Sequence, residues 1–462
     1  VVQVHERGVL DERAMEELTA AVRGTTLPPT APEYDAARSL WNGMIDRRPA
    51  VIVRCTGVAD VRAALAFADA HGLTVAVKGG GHNVAGRASA DGGLMLDLAP
   101  MRWVQVDPAS RLARVGPGAV GGDLDHEAQA FGLATTTGTD STTGVIGLML
   151  GGGMGFLGRR LGLTCDNLVS ADVVLADGSL VRASETENPD LYWALRGGGG
   201  ELGVVVAVEL RLHQIGPEVS VAQAFYPMQQ AAEALRHFRN FAEAAPPEVM
   251  AYALAVNVPP VDPFPAAQHG KTAIALVAAH SGPIEAGSAA LEPFADFGEP
   301  MLRILAPMPY VALQQSFDAS FPSGRRYYWK SSYVEALTDA AIQAFVDRVD
   351  PLPGPYSAAF FERMGGAVAG LDVSATAFPH RRAAYNFAAT AGWDDAADDD
   401  RGMGWARGMY AAMQPYATDE LYANYAGVDD LDRRQAIYGP NADRLAAIRS
   451  RYDPRGRFRA RG

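Results

Sequence analysis

The chain has 462 residues, 48 % apolar and 20 % charged, and carries a net charge of −13. That is a folded, globular composition, long enough for two domains or one large discontinuous one, and it excludes a disordered chain. The acidic balance argues against a nucleic-acid backbone as the main partner, no apolar run is long enough to span a membrane, and two cysteines, Cys55 and Cys165, cannot build a disulfide framework.

In chain order, Val1 to Arg13 carry charges and no apolar h-region, so no secretory leader is read there, and a cytoplasmic protein with reduced thiols is expected. Residues 14–23 read as a short helix, after which Pro28, Pro29 and Pro32 break regularity. Val51–Arg54 reads as a strand. Asp60–His71 reads as a helix with Val61, Ala64, Leu65 and Ala68 on one face and Gly72 as its stop. A second strand, Leu73–Val77, leads directly into Lys78-Gly79-Gly80-Gly81-His82-Asn83. Three glycines let backbone approach a ligand closely and offer N–H groups to a phosphate; a histidine set just after them is held where it can meet that ligand.

Short strands are expected over Gly93–Leu98, Trp103–Val106 and Arg111–Val115, then a helix over Leu124–Phe131 ending at Gly132. A second glycine concentration runs from Gly138 to Gly158 and contains a formal G-x-G-x-x-G from Gly153 to Gly158. A nicotinamide-type Rossmann site needs that motif straight after the first strand of a βαβ unit, whereas Gly144–Leu150 reads as a short helical turn. Two Gly-rich loops separated by short strands instead suggest a cradle that clamps one large cofactor from two sides, with a pyrophosphate as the natural guest. Asn167–Ala176 and Ser179–Arg182 read as a hairpin across Asp177-Gly178, Pro189–Leu195 as a helix opened by proline, and Gly203–Leu212 as a buried strand.

After about Gly216 glycines thin out. Amphipathic helices over Met228–Ala244 and Asp339–Val349 alternate with strand-like Ala273–Ala278, Ser357–Phe361 and Ala384–Thr390, which indicates a second, α+β domain. Asp394–Asp400 reads as a solvated acidic loop.

Taken together, Gly79-Gly80-Gly81-His82-Asn83, Gly151-Gly152-Gly153-x-Gly155, Gly162-Leu163-x-x-Asp166-Asn167, Trp193-x-Leu195-Arg196-Gly197-Gly198-Gly199 and Gly203-Val204-Val205 resemble the FAD-linked oxidases of the vanillyl-alcohol oxidase type, in their berberine-bridge-enzyme-like branch. Tyr422-Ala-Asn424-Tyr425, Tyr438-Gly439, Arg444-Leu445, Tyr452-Asp453-Pro454-x-x-x-Phe458 and Phe378-Pro379-His380-Arg381 extend the resemblance over nearly the whole chain. It implies an α+β architecture: a two-lobed FAD-binding domain over residues 1–213, a substrate domain over 214–420 with an antiparallel sheet backed by helices, and a C-terminal segment, 421–462, that returns to the first domain.

The resemblance also implies which residues meet the cofactor. Lys78, Gly79, Gly80, Gly81, His82, Asn83 and Gly86 belong to the first loop, and Gly138, Thr139, Gly144, Gly147, Gly151, Gly152 and Gly155 to the second. Gly203, Val204 and Val205 follow on a strand, with Tyr422 and Asn424 near the C-terminus, and no metal is implied. Members commonly tether the flavin 8α-methyl to the histidine of the first loop, here His82. Many relatives add a cysteine link from the loop before the second glycine cluster, but Asp140 stands at that position and Cys165 lies too late. A single histidyl link is therefore expected, as in the nicotine-oxidising members of the branch, with Cys165 a buried structural thiol and Asp140 either a substrate contact or a loop residue. Glu201-Leu202 replaces a frequent Asn-Phe, which puts a local cofactor contact in doubt.

The implied chemistry takes a hydride from a carbon next to oxygen or nitrogen onto flavin N5, with dioxygen reoxidising the flavin to give hydrogen peroxide. The substrate is a small molecule such as a natural product, sugar or alkaloid; oxidative cyclisation or a dehydrogenase reaction uses the same step, and a non-catalytic binding role is the third alternative. In related alcohol oxidases the base is a tyrosine at the position of Tyr422, helped by a charge or hydrogen bond for which Arg363, Tyr425 and Lys330 are candidates; a Tyr422 that only holds the flavin or Asn424 is the other reading. Asn386 stands where the plant ring-closing enzyme has a glutamate, and a neutral amide cannot accept a proton. Asn386, Ala388 and Thr390 share one strand face, which either leaves room for a bulky substrate or is ordinary sheet packing. Oligomeric state, a homodimer among the options, is left open.

Overall fold

The computed structural model describes residues 10–458; the opening nine residues, most of the segment read above for a leader, and the last four of the expected returning segment lie outside it. Its first lobe is a four-stranded sheet in the order Thr25–Leu27, Val51–Arg54, Leu94–Asp97, Val75–Lys78, the last three strands parallel. The crossover between Val51–Arg54 and Val75–Lys78 is the helix Val58–Ala70. It buries Val61, Ala64, Leu65 and Ala68 against Val53 and Leu96, and each such large aliphatic side chain contributes about 1.5–3 kcal/mol when removed from water. Gly72, at φ +63°, ends the helix in a conformation that L side chains rarely adopt.

The second lobe is a five-stranded antiparallel sheet in the order Val104–Asp107, Leu112–Val115, Val204–Arg211, Leu168–Val174, Leu180–Ser184. The hairpin between the last two turns at Asp177-Gly178, where the Ser179 amide donates to Asp177 Oδ1 at 2.9 Å and Gly178 sits at φ +80°. Val145–Leu150 is a helix, so the formal G-x-G-x-x-G that follows it has no parallel strand before it.

A seven-stranded antiparallel sheet forms the third layer, in the order Leu302–Pro309, Glu218–Pro227, Thr272–His280, Val249–Asn257, Ala358–Arg363, Tyr385–Trp393, Arg326–Val334. Side chains alternate between its faces. Ala253, Ala359, Phe361, Phe387 and Ala389 lie under the helices Ala231–Ala244, Ile284–Ala295, Asp339–Val349 and Asp399–Met413. Tyr252, Leu254, Phe360 and Ala388 share the opposite face with Phe156 and Leu157 of the second glycine segment.

The acidic run at 394–400 is a correction to the sequence reading. Asp399 opens a fifteen-residue helix and receives Arg326 through two hydrogen bonds of 2.6 Å, and it also accepts from Trp393 Nε1 at 2.9 Å. A helix N-terminus favours a carboxylate, and a bidentate arginine fixes it, so Asp399 anchors an element, while Asp394, Asp395 and Asp400 stay exposed as read. At the C-terminus, Ala442–Tyr452 buries Leu445 and Tyr452 in the cluster around Trp193. The Val75 amide donates to Arg457 O at 3.0 Å and Phe458 enters the core of the first lobe. Among the described residues no helix is long and apolar enough to cross a membrane.

Candidate active site

The strand Val75–Lys78 delivers the chain into the first glycine loop, where Gly81 takes φ +72°. A Cβ on Gly80 would stand 2.5 Å from Gly144 N, and one on Gly144 would stand 2.7 Å from Gly80 N. The two glycine-rich loops, remote in sequence, therefore meet backbone to backbone, which only glycine permits. Among the described residues, the amides of Gly80, Gly81, His82 and Asn83 donate to no protein acceptor. Amides without partners facing a cavity are a concavity for an anion.

That cavity has a volume of about 660 Å³. Its floor is Gly79, Gly80, Gly81, His82 and Asn83 from the first loop with Gly138, Thr139, Asp140, Gly144, Gly147 and Gly151 from the second. Gly203, Val205, Tyr422 and Asn424 also line it. The seven-stranded sheet supplies Tyr252, Leu254, Trp329, Phe360 and Glu362, while Trp41, Phe317 and Phe321 complete an aromatic end. Arg47, Arg87 and Arg434 line the space as well.

Six residues expected at the site do not line this cavity. Lys78 turns away and donates from Nζ to Ala37 O at 2.8 Å and Ser39 O at 3.1 Å, fastening the N-terminal segment. Gly86 is a turn at φ +71° pressed against Ile45. Gly152 makes room for Phe378, and Gly155 lets its backbone pass Thr137 O, which a Cβ would approach to 1.8 Å. Val204 alternates out of the cavity into the first lobe's core, whereas Val205 faces in. Asn386 is fully buried behind Glu362. Past Gly151 the second glycine cluster thus serves chain crossing, which composition does not separate from ligand approach.

His82 lies against Trp41, with ring centroids 5.1 Å apart and planes at 23°. Its Nε2 is 2.7 Å from Thr142 Oγ1 and its Nδ1 is 3.3 Å from Thr143 Oγ1. Burial pushes the imidazole down to about 4, with Asp318 opposing that shift, so the ring is neutral at neutral pH. Asp140 Oδ1 accepts the Thr142 amide at 2.8 Å and the Thr142 hydroxyl at 2.6 Å. Burial raises the Asp140 carboxyl, against the opposing effect of those two bonds. The loop is held from the segment that follows the strand Leu302–Pro309, because Asp318 accepts Ser141 N at 2.8 Å and Ser141 Oγ at 2.6 Å.

Across the cavity, Tyr425 donates its hydroxyl to Glu362 Oε1 at 3.1 Å, and Asn386 Nδ2 donates to Glu362 Oε2 at 2.5 Å. Burial pushes the Glu362 carboxyl up to about 7, with the two hydrogen bonds opposing. Tyr425 is raised well above its ordinary value, first by burial and then by the neighbouring carboxylate. Sequence reasoning missed Glu362. The signal was its place two residues after Phe360, on the inward face of a strand that otherwise reads as apolar. Asn386, taken as a site residue in its own right, orients this carboxylate. Ala388 and Thr390 are fully buried, and Thr390 Oγ1 donates to Ala358 O at 2.9 Å; that face is sheet packing.

Of the two readings of Tyr422, base or holder of Asn424, the contacts match the second. Its oxygen accepts Gly153 N at 2.9 Å, Met154 N at 3.2 Å and Asn424 Nδ2 at 2.8 Å, which leaves it engaged by the glycine segment. Burial raises its pKa, and those three donors oppose the shift. Arg363 does not help it: it lies on the helix side, donating to Ala242 O and Ala384 O. Lys330 is held by Asp430 through two contacts of 3.1 Å.

Cys165 is fully buried, and burial pushes its thiol far up. It lies outside the cavity lining, next to Asp166, which receives the wholly buried Arg381 at 2.6 and 2.8 Å. Glu201 does line the cavity, with Arg87 at 3.5 Å, Arg434 at 3.6 Å and Arg449 at 3.5 Å.

Residues 49–184 match the family described as FAD binding domain, and residues 421–461 match the one described as berberine and berberine like. The chain is 28 % identical to an FAD-linked oxidoreductase of Dictyostelium discoideum over 96 % of this chain and 95 % of that one. It is 40 % identical to the (R)-6-hydroxynicotine oxidase of Paenarthrobacter nicotinovorans over 195 residues, 42 % of this chain and 43 % of that protein. Among solved structures, the glucooligosaccharide oxidase of Acremonium strictum, described as holding a 6-S-cysteinyl, 8α-N1-histidyl FAD, superposes with a TM-score of 0.84 at 25 % identity, covering 96 % of this chain and 97 % of that one. The cavity suits an elongated dinucleotide: it runs between two touching glycine loops, offers free amides and arginines for a pyrophosphate, and has an aromatic end.

Proposed function

Because the chain belongs to the berberine-bridge-enzyme-like FAD-linked oxidoreductases, we propose that it is an oxidase of an alcohol or amine carbon on a ring-bearing small molecule, with dioxygen as the acceptor and hydrogen peroxide as the product. In this reading FAD is attached once, through His82. When bound, FAD supplies the two-electron acceptor for a hydride from carbon and passes the electrons to oxygen.

The chain's own residues manage the rest. The free amides of the first glycine loop would hold the diphosphate, with Arg47, anchored on Gly86 O and Ser89 O, and Arg87, paired with Glu201, adding positive charge beside it. Aromatic walls from Trp41, Phe317, Trp329 and Phe360 exclude water and stack on a ring. The observation that carries the proposal is the Tyr425–Glu362 hydrogen bond inside the cavity that His82 also lines. A phenol alone is too weak a base at neutral pH. Here Tyr425 can take the substrate's O–H or N–H proton while releasing its own to Glu362, whose raised carboxyl titrates near neutrality. Asn386 keeps the carboxylate turned toward Tyr425.

Two of the similar proteins are named for acting on 6-hydroxynicotine and on glucooligosaccharides, so cyclic amines and sugars are the first substrates to test. Anaerobic bleaching of the flavin by such a donor, followed by peroxide release on admitting air, supports the oxidase. Bleaching without peroxide would make it a dehydrogenase or a cyclase, and no bleaching by any donor would leave a binding protein.

A further inference from the structure

We propose that Asp140 and Thr142 form a relay that positions His82 for attachment, fixing hydrogen on Nε2, leaving Nδ1 as the nitrogen that bonds, and taking the Nε2 proton away. The inference rests on the reading that FAD is tethered at His82. Its geometry is local and complete. An ionised carboxylate only accepts, and Asp140 Oδ1 lies 2.6 Å from Thr142 Oγ1, so the threonine's single hydroxyl proton is directed to Asp140. The same oxygen then faces His82 Nε2 at 2.7 Å with lone pairs only, and Nε2 must be the N–H. Nδ1 is left as an acceptor, with no stronger engagement than Thr143 Oγ1 at 3.3 Å. Trp41 fixes the ring plane by stacking, and Asp318 fixes the loop through Ser141.

Attachment breaks one C–H bond of a ring methyl group and the His82 N–H bond, and forms one C–N bond. Two electrons and two protons are released. The electrons are taken up by the isoalloxazine and delivered with two protons to dioxygen, giving hydrogen peroxide. One of the released protons is the Nε2 proton, for which the path Nε2, Thr142 Oγ1, Asp140 Oδ1 is already hydrogen-bonded.

The test uses apo-protein expressed under riboflavin limitation. FAD is added, and attachment is followed by the flavin fluorescence that survives a denaturing gel, with reversible binding measured in parallel by fluorescence quenching. Thr142→Val and Asp140→Asn are expected to bind FAD but attach it on the order of tenfold or more slowly. Thr142→Ser should restore the wild-type rate, which a loss of packing would not. His82→Ala should bind without attaching. Attachment at the wild-type rate in both Thr142→Val and Asp140→Asn, with none in His82→Ala, would overturn the relay and leave the tether standing. No attachment in wild type, or attachment in His82→Ala, would overturn the tether itself. If the relay variants bound no FAD, 15N-histidine spectra of the wild-type apo-protein would decide, since the relay requires the Nε2–H tautomer of His82 and an Nδ1–H ring would contradict it.

Discussion

Glu362 Oε1 lies 3.1 Å from the hydroxyl of Tyr425, inside a cavity that is otherwise walled on this side by aromatic and aliphatic carbon. A buried carboxyl is costly to keep ionised, which is why burial raises Glu362, and a perturbed titratable pair inside the cavity is where proton chemistry is expected. Tyr425→Phe and Glu362→Gln should each slow anaerobic flavin reduction by on the order of 10²-fold or more, with the yellow cofactor retained. The wild-type reduction rate should rise with pH and level off above about 7, where Glu362 is ionised, and that rise should vanish in Glu362→Gln. Stopped-flow reduction across pH 5–9 checks both.

The same carboxyl carries a stability signature. Its folded value, about 7, lies above the ordinary glutamate value, so the folded state binds the proton more tightly than the unfolded chain does. The stabilisation is fully present below the unfolded value and is lost as pH rises through about 7, at most on the order of 3 kcal/mol from this group. Between pH 5 and pH 8 the wild type should therefore lose more of its thermal midpoint than Glu362→Gln does, measured in one buffer series.

Tyr422→Phe should behave as a structural variant. Removing its oxygen strands the amides of Gly153 and Met154 and one N–H of Asn424, whose Nδ2 still donates to Leu148 O at 2.9 Å. Each orphaned buried donor costs about 1–3 kcal/mol. A lowered thermal midpoint with flavin reduction slowed much less than in Tyr425→Phe is expected; the reverse pattern in the same two assays would return the base to Tyr422.

Gly147 separates a ligand glycine from a packing glycine. A Cβ there meets no protein atom within 4 Å, although the residue lines the cavity, whereas a Cβ on Gly80 would drive the two glycine loops apart. Gly147→Val should fold with an unchanged far-UV circular dichroism spectrum and retain little FAD, while Gly80→Ala should lose both stability and FAD. Absorbance ratios at 450 and 280 nm of the purified variants report the loading.

Much of this was legible from local rules. Val61, Ala64, Leu65 and Ala68 repeat with helical period, Gly72 stops the helix, and the glycine turn follows a strand, so His82 reads as facing a ligand from sequence; Asp140 enters only through the family resemblance, and both residues line the cavity. What was not legible depends on pairings remote in sequence. Tyr425 and Glu362 are 63 residues apart, and Tyr422 meets Gly153 and Met154 across nearly 270, so the motif around Tyr422 identifies the segment without saying which hydroxyl is engaged by backbone. Lys78, Gly86, Gly152 and Gly155 look like cofactor residues by composition, yet they fasten one stretch of backbone to another. Val204 and Val205 differ by one residue and face opposite sides, a distinction set by strand register.

The most direct measurement is intact mass under denaturing conditions, taken with the visible absorption spectrum, for wild type, His82→Ala and Cys165→Ala. Wild type and Cys165→Ala should each carry one FAD covalently, and His82→Ala should be yellow with an unmodified polypeptide mass. A mass increment that survived in His82→Ala, or a colourless wild-type protein that could not be reconstituted with FAD, would contradict this.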